Sequence, residues 1–229
     1  MISPGLRINE FIIRDEIGRG GFASVYRAFD QRTREDVAIK FLYPKAMNSI
    51  AARQVFVDEM INQARLSINP NIVRVIKSIK FLDRQGEHLG LVMEFVDGDP
   101  LGLLIERDGL LSDFYTVPIF LQILNGLSFA HQNSMLHRDI KPGNVLVRKD
   151  GLVKIMDFGL SKIVQSSRAS RDTLRAASLD YTAPERLAKS VIDVRTDIYS
   201  VGATLYMALT GRPPYEIDPE DWDDALRKH

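Results

Sequence analysis

The sequence contains no cysteine among its 229 residues. Disulfide bonds, thiol catalysis and cysteine-ligated zinc are therefore excluded, and the composition fits a reducing compartment. Neither sign of charge is in excess, because 30 Lys and Arg residues balance 30 Asp and Glu residues. This balance argues against a protein that coats nucleic acid by bulk charge. A hydrophobic content of 45% can form a sizeable core, which excludes wholesale disorder.

Long apolar runs are also missing. The N-terminal segment has no apolar stretch after a basic start, which a secretory signal would require. The most apolar long window, Ile198 to Gly211, is too short to cross about 30 Å of hydrocarbon. We predict a helix there that is buried all round, with Thr196 and Asp197 as its capping residues and Gly211 at its end.

The part of the chain before about residue 97 predicts an antiparallel sheet. Short runs rich in Phe, Val, Ile and Tyr alternate with turn signals, a pattern that is typical of strands. The predicted strands are Phe11–Ile17, Phe22–Phe29, Asp36–Leu42, Ile72–Phe81 and His88–Phe95.

One helix interrupts this sheet near residues 50–67 and ends at an Asn-Pro-Asn sequence. Its apolar period places Val55, Met60 and either Ile61 or Ala64 on one face. A helix between strands gives an α+β pattern in this part of the chain.

The rest of the chain is mainly helical. Its first long helix tolerates Pro118 only in the first turn, because proline lacks the backbone N–H. A small β-rich part followed by a larger helical part leaves a cleft, which is a common place for a ligand. One face of this helix carries Phe120, Ile123, Leu124, Leu127 and Ala130.

A glycine-rich turn, with Gly18, Gly20 and Gly21, separates the first two predicted strands. Glycine backbone can approach phosphate oxygens because no Cβ stands in the way. The segment alone is equally compatible with an ordinary hairpin turn. It is not the dinucleotide-binding fingerprint, because a strand follows it and not a helix.

Lys40 ends the apolar strand sequence VAIK, one strand after the glycine turn. A lysine at this place either snorkels to the surface or reaches the same phosphates as the glycine turn. A buried lysine needs a counter-charge, for which Glu59 on the predicted helix is the first candidate and Asp58 the alternative.

The segment HRDIKPGN, residues 137–144, puts two cations, a carboxylate and an amide into one irregular loop. Short strands follow, with Asp150-Gly151 in the turn between them. Because a hairpin returns its ends to the same place, Asn144 should lie beside Asp157. These two oxygen ligands suit Mg²⁺ held together with substrate phosphates. Asp139 is near enough to accept a hydroxyl proton, and the alternative interpretation is a solvated polar turn.

These motifs resemble those of eukaryotic-type serine/threonine protein kinases. Their residues are similar to those found in bacterial members of the family. They follow the family's order: glycine loop, VAIK, helix glutamate, HRDIKPGN, DFG, and Ala183-Pro184-Glu185. The resemblance covers Ile17 to Gly211, nearly the whole chain. It implies an α+β, bilobal kinase-like fold with a small antiparallel-β N-lobe at about 1–96, a hinge at about 94–100 and a mainly helical C-lobe at about 101–229.

By this resemblance, the chain would transfer the γ-phosphate of ATP to Ser or Thr hydroxyls of proteins. Lys40 would hold the α- and β-phosphates and pair with Glu59, under the glycine loop. Asn144 and Asp157 would hold Mg²⁺ or Mn²⁺. The family pattern also assigns the adenine pocket: Ile17, Val25, Ala38 and Leu146 as apolar walls, Met93 as gatekeeper, and the backbone of Glu94 and Val96 as the purine edge.

The same resemblance assigns the catalytic groups. Asp139 would accept or orient the substrate hydroxyl, and Lys141, which is typical of the serine/threonine branch, would steady the transferred phosphoryl group. Ser178 would hydrogen-bond both of them. His137 invites interpretation as a general base, but its family counterpart is structural.

Arg138 precedes the catalytic aspartate, as in kinases that are switched by phosphorylation of the activation loop, here residues 157–185. An added phosphate of about −2 charge pairs with such an arginine and orders the loop. We expect autophosphorylation at Ser170 or Thr173. The alternative is a polar loop with no modified residue.

The chain departs from the family pattern in two motifs. Ala23 replaces the third glycine of the phosphate loop, and Ala177-Ser178 replaces the usual Gly-Thr pair. One extra residue lies between Glu59 and the Asn-Pro sequence, which weakens the alignment of that glutamate.

The C-terminal end is the largest departure. Family members continue for several helices, whereas this chain stops at His229 and lacks the arginine that normally pairs with Glu185. We therefore expect a C-lobe that is incomplete, with one face of the Ile198–Leu209 helix uncovered.

Three functions remain in competition: a serine/threonine kinase, a pseudokinase-like ATP-binding scaffold, and a small-molecule phosphotransferase. The complete set of motif residues argues against a scaffold, and Ser178 with the Ala-Pro-Glu segment favours a protein substrate. The expected partners are ATP, protein substrates and a second copy of the chain in trans, with no nucleic acid and no membrane within this chain. We expect a cytoplasmic enzyme or the cytoplasmic domain of a longer protein.

Overall fold

The computed structural model describes residues 2–20, 23–43, 50–83, 86–158, 179–188, 190–215 and 227–228. The chain divides into two compact units. Unit 1 comprises Met1–Ser67 and Val73–Val96, and unit 2 comprises Ile68–Ile72 and Asp97–His229. The short segment 68–72 thus packs with unit 2, although both of its chain neighbours belong to unit 1.

Unit 1 is built on a six-stranded antiparallel sheet with the strand order β1-β2-β3-β4-β6-β5. Apolar residues alternate along the strands, so that one face buries a core around Phe11, Ile39, Phe41 and Val92. The strands are β1 Arg7–Ile8, β2 Phe11–Arg19, β3 Ala23–Asp30, β4 Glu35–Leu42, β5 Val75–Asp83 and β6 Gly86–Glu94.

Strand β5 begins later than the sequence predicts. The prediction of a strand from Ile72 is wrong because this residue forms a parallel bridge with Ile155 of unit 2. Strand β1, with two residues, was not predicted because so short a run carries no alternation.

The helix of unit 1, α1, spans Ile50–Leu66. Its buried side is formed by Phe56, Gln63 and Leu66, which follow the helical period. The predicted face is wrong at Ile61 and Ala64, which are exposed. The error arose because the buried stripe includes a polar residue, Gln63, whose Nε2 donates to the backbone of unit 1.

Unit 2 contains a three-stranded sheet and most of the helices. A Cβ on Gly98 would lie 2.3 Å from the carbonyl oxygen of Val147. The strand that contains Gly98 can therefore approach the strand that contains Val147 only because residue 98 is glycine. The elements are β7 Gly98–Pro100, α2 Leu101–Asp108, α3 Asp113–Gln132, the 3-10 turn Pro142–Asn144, β8 Val145–Arg148, β9 Val153–Ile155, the 3-10 turn Leu179–Tyr181, α4 Pro184–Leu187 and α5 Val194–Thr210.

Helix α3 starts earlier than predicted. It begins at Asp113, so Pro118 lies inside the helix and the prediction of a first-turn proline is wrong. The carbonyl oxygen of Ser112 fixes this start by accepting from both the backbone N–H and the hydroxyl of Thr116. Leu124 is 39% exposed and does not belong to the buried face.

Helix α5 is capped by Asp193, whose side chain accepts a hydrogen bond from Arg195 N, and not by Thr196 or Asp197 as predicted. The expectation that it is buried all round is also wrong. Large apolar side chains remain exposed at Ile198, Tyr206 and Leu209, because the buried face is shared with polar residues. Within the described ranges, none of the helices is long and apolar enough to span a membrane.

Candidate active site

Strand pairing in unit 1 places the predicted nucleotide-binding residues on one face of the sheet. Gly18 pairs with Val25, Val25 pairs with Lys40, and Ala38 pairs with Met93. Directly paired residues project to the same face, as do residues two apart along a strand. This face is the one opposite the apolar core, since Val37, Ile39 and Phe41 alternate with Ala38 and Lys40.

Lys40 is buried, with 4% of its surface exposed, so a charged ammonium group there needs a counter-charge. The predicted partner, Glu59, lies on α1, but its side chain is outside the described residues. The alternative, Asp58, accepts a hydrogen bond from Gln54 Nε2 at 2.9 Å, one turn earlier on the same helix. The Lys40–Glu59 pair therefore stays a prediction.

The glycine turn is described in part. Gly20 N donates to the carbonyl oxygen of Ala23 at 2.8 Å, which closes the turn between β2 and β3, while Gly21 lies outside the described residues. Ala23 is buried, so the methyl group that replaces the third glycine hydrogen of the family pattern packs within unit 1. Ile17 is 47% exposed, which leaves its side chain available to a ligand.

The backbone that is predicted to pair with the purine lies at the end of unit 1. Met93 and Val96 are buried, and Glu94 N donates to the carbonyl oxygen of Arg74 at 2.9 Å. Arg74 N in turn donates to the side-chain Oε1 of Glu94 at 2.7 Å, so two hydrogen bonds join Glu94 to Arg74. Leu146, the remaining predicted wall residue, lies in unit 2 on β8 and is half-buried.

In unit 2, the loop before β8 brings together a carboxylate, an amine and an amide. Lys141 Nζ lies 3.0 Å from Asp139 Oδ2. Asn144 Nδ2 donates to the same Oδ2 at 3.0 Å and to the backbone oxygen of Asp139 at 2.7 Å. Because the nitrogen of this amide faces Asp139, its Oδ1 is left as the atom that could bind a cation.

The hairpin β8–β9 brings Asn144 next to Asp157. Met156 N donates to the backbone oxygen of Asn144 at 3.1 Å, and Asp157 is the next residue. Asp157 has a φ of 66°, a left-handed conformation that is uncommon for a residue with a side chain and typical of functional sites.

His137 is fully buried and has a structural role. Asp139 N donates to its Nδ1 at 3.1 Å, so Nδ1 is an acceptor and the ring proton is on Nε2. That nitrogen donates to the backbone oxygen of Met156 at 2.8 Å, and the ring makes an edge contact with Phe158. Both ring nitrogens are thus used to hold the residues around Asp139 and Asp157, which agrees with the structural interpretation of this histidine.

Asp197 was missed as a functional residue. Its carboxylate is fully buried and accepts hydrogen bonds from the backbone N–H groups of His137 and Arg138, at 2.9 and 2.7 Å, and from the ring of His131 at 2.8 Å. Burial raises the pKa of Asp197, but these hydrogen bonds outweigh it, so its pKa lies below the usual value. The available signal was an acidic residue directly before the apolar window that begins at Ile198.

Residues 11–228 match the protein kinase domain family. The chain belongs to this family. It is 36% identical over 209 residues to the probable serine/threonine-protein kinase PknB of Bifidobacterium longum, 36% over 211 residues to that of Lactococcus lactis, and 32% over 216 residues to the serine/threonine-protein kinase PknB of Mycobacterium leprae. These alignments cover 88, 92 and 94% of this chain, which spans about a third of the length of these curated relatives, 30, 33 and 35%.

Kinase family membership implies the use of ATP and a divalent metal. Asn144 and Asp157 fit such a metal, because amide and carboxylate oxygens are hard donors and Mg²⁺ is commonly held by one or two protein ligands together with phosphates. In the part of the kinase domain that the structure describes, no group of three or more His, Asp or Glu residues could hold a metal ion.

Arg186 contacts the loop that contains Asp139. Arg186, on α4, donates from Nη1 to the carbonyl oxygen of Arg138, whose φ is 68°. Burial lowers the pKa of Arg186, while the nearby carboxylates of Asp139 and Asp197 oppose this shift. Glu185, expected to lack its usual arginine, accepts a hydrogen bond from Thr196 Oγ1 at 2.6 Å. The predicted residues Ser170, Thr173 and Ser178 lie outside the described ranges.

Proposed function

We propose that this kinase domain transfers the γ-phosphate of ATP to serine and threonine hydroxyls of proteins. The observation that carries the proposal is the group formed by Asp139, Lys141 and Asn144, with Asp157 beside it. The names of the curated relatives, which are serine/threonine-protein kinases, support the same reaction and acceptor class.

Unit 2 supplies the residues for the transfer itself. The substrate oxygen forms a bond to the γ-phosphorus, the bond from that phosphorus to the β–γ bridging oxygen breaks, and the electron pair leaves with ADP. Asp139 accepts the hydroxyl proton. Lys141, 3.0 Å from Asp139, neutralises charge on the transferred group. When bound, the metal neutralises phosphate charge, and Asn144 with Asp157 would hold it.

Unit 1 supplies the residues for the nucleotide. Lys40 carries the cation for the α- and β-phosphates on the sheet face that it shares with Gly18 and Val25. On the same face, Ala38 and Met93 provide apolar surface for the base. Glu59 completes the proposal as the counter-charge of Lys40.

One assay separates the competing functions: transfer from labelled ATP with Mg²⁺ to a generic basic protein, for the wild type and for Asp139→Asn. The variant keeps the shape of the side chain but removes the base, so we expect a loss of about 100-fold or more in rate. Binding of ATP with no transfer by either protein would favour the scaffold. Label on small hydroxyl compounds only would favour the small-molecule phosphotransferase.

We also propose that the domain is regulated by autophosphorylation of Ser170 or Thr173, with a second copy of the chain as the substrate in trans. Arg138 supports this proposal, because its Nε is buried and has no hydrogen-bond partner among the residues that the structure describes. A phosphate on the activation loop would supply that partner. Mass spectrometry after incubation with MgATP should find phosphate at one of the two residues, and its absence from both would contradict the proposal.

We propose that this activity is located in the cytoplasm, where ATP is available. A chain without cysteine has no disulfide bond that a reducing environment could break. Retention of the purified chain in the aqueous phase, and its release with cytoplasmic contents on gentle lysis, would test this placement.

A further inference from the structure

Strand β9 is an edge strand of the three-stranded sheet, with β8 on one side. On its other side, side-chain amides bind the backbone. Gln122 Oε1, on α3, accepts from Val153 N at 3.0 Å, and Gln122 Nε2 donates to the carbonyl oxygen of Gly151 at 3.0 Å. Asn71 Nδ2 donates to the carbonyl oxygen of Val153 at 3.0 Å.

The two amides are also bonded to each other, because Asn71 Nδ2 lies 3.1 Å from Gln122 Oε1. The backbone of Asn71 adds a further bond, since its carbonyl oxygen accepts from Ile155 N at 2.8 Å. Asn71, Val153 and Ile155 are all nearly inaccessible to solvent, so these backbone groups need protein partners. Asn71 and Gln122 thus provide the partners that a further strand would have provided.

Helix α3 is held close to the same place. A Cβ on Gly126 would lie 2.9 Å from Ile155 Cδ1 and 3.3 Å from the carbonyl oxygen of Asn71. The absence of a side chain at residue 126 therefore permits the close approach that brings Gln122, one turn earlier on α3, to the edge of β9.

We propose that Asn71 and Gln122 are positioning residues for the metal-binding carboxylate of Asp157. The structural link is short: β9 ends at Ile155, Met156 is bonded to Asn144 and His137, and Asp157 follows. Holding β9 fixes where Asp157 begins its left-handed turn. The inference rests on the proposed function, since it assigns a purpose to the placement of a metal ligand.

The test uses Gln122→Glu and Asn71→Asp in the 229-residue chain, with two readouts. Each change keeps the shape of the side chain but replaces an N–H donor by an oxygen that faces a carbonyl group. We expect the Mg²⁺ concentration for half-maximal transfer to rise about tenfold, with kcat at saturating Mg²⁺ within about twofold of the wild type. Hydrogen exchange of the Val153 and Ile155 amides should also become about tenfold faster in Gln122→Glu.

The matched control is Gln132→Glu, the same change on an exposed residue at the end of α3. It should alter neither readout. If the Tm of Gln122→Glu falls while its Mg²⁺ dependence equals that of the wild type, the two amides are only structural and the proposal is overturned. If Asn71→Asp does not fold, Gln122→Glu decides, because Gln122 is half-buried and tolerates the change better.

The exchange measurement separates this inference from the proposed function. A wild-type chain that shows no Mg²⁺-dependent transfer would contradict the proposed function whatever the variants do. Unchanged exchange in β9 of Gln122→Glu would overturn the inference that Gln122 holds this strand, whether or not the wild type is active.

Discussion

The two units of this kinase domain position their functional residues by different means. In unit 1, Val25, Ala38 and Lys40 share a face because the register of regular strands puts them there. In unit 2, Asp139 lies in a loop without regular secondary structure, which is held by hydrogen bonds to buried polar groups such as Asp197. Register is fixed by many equivalent bonds, whereas the loop depends on a few individual side chains. Single substitutions should therefore harm the site of unit 2 more than that of unit 1.

The largest effect is expected for Asp197→Asn. The amide cannot accept all three hydrogen bonds that the carboxylate accepts, and its NH₂ group would face a buried N–H donor. We expect a loss of about 3 kcal/mol in the free energy of unfolding and about 100-fold or more in the rate of transfer. Urea unfolding and the labelled-ATP assay measure the two quantities.

Asp193→Asn is the control for that prediction, because the side chain of Asp193 caps the same helix, α5, by accepting from the backbone N–H of Arg195. Asparagine also caps helices, so the cost should be below about 1 kcal/mol and the activity should be retained. Equal loss of activity in both variants would contradict the assigned role of Asp197.

Asp197 should also make the stability of unit 2 depend on pH. The folded pKa of Asp197 lies below its usual value of 3.8, so the carboxylate stabilises the fold above that pH. This contribution should be lost as the pH falls from about 3.8 through the lower folded value. The slope of unfolding free energy against pH in this range should be smaller in Asp197→Asn than in the wild type, and identical slopes would contradict the assignment.

The smallest effect is expected in unit 1, for Glu10→Gln. Glu10 pairs with Lys77, which also lies 5.0 Å from the centre of the Phe11 ring. The hydrogen bond from Lys77 is the main reason that the pKa of Glu10 is lowered, so this pair stabilises the fold above pH 4.5 and is lost as the pH falls through the folded value. We expect a cost of about 1 kcal/mol or less at neutral pH and unchanged transfer activity.

The same difference explains what the sequence could predict. The apolar run VAIK predicted that Lys40 ends a strand next to the one that follows the glycine turn, and the Asp150-Gly151 turn predicted that Asn144 and Asp157 meet, because both patterns are local. The contacts of Asp197 with His137 span 60 residues, and those of Asn71 with Val153 span 82. No local pattern marks such pairs.

The predictions of the buried helix faces were wrong where polar residues are buried. Gln63 on α1 and Asp197 on α5 occupy interior positions, whereas Ile61 and Ile198 on the same helices are exposed. A face assigned from apolar residues alone is therefore wrong wherever a buried hydrogen bond takes the place of an apolar contact.

The central claim is that Asp139 serves transfer to serine and threonine hydroxyls. The most direct measurement is phosphoamino-acid analysis of a generic basic protein after incubation with γ-labelled ATP, Mg²⁺ and either the wild-type chain or Asp139→Asn. We predict labelled phosphoserine and phosphothreonine from the wild type, and about 100-fold less or none from the variant. Label on tyrosine alone, or equal labelling by both proteins, would contradict the claim.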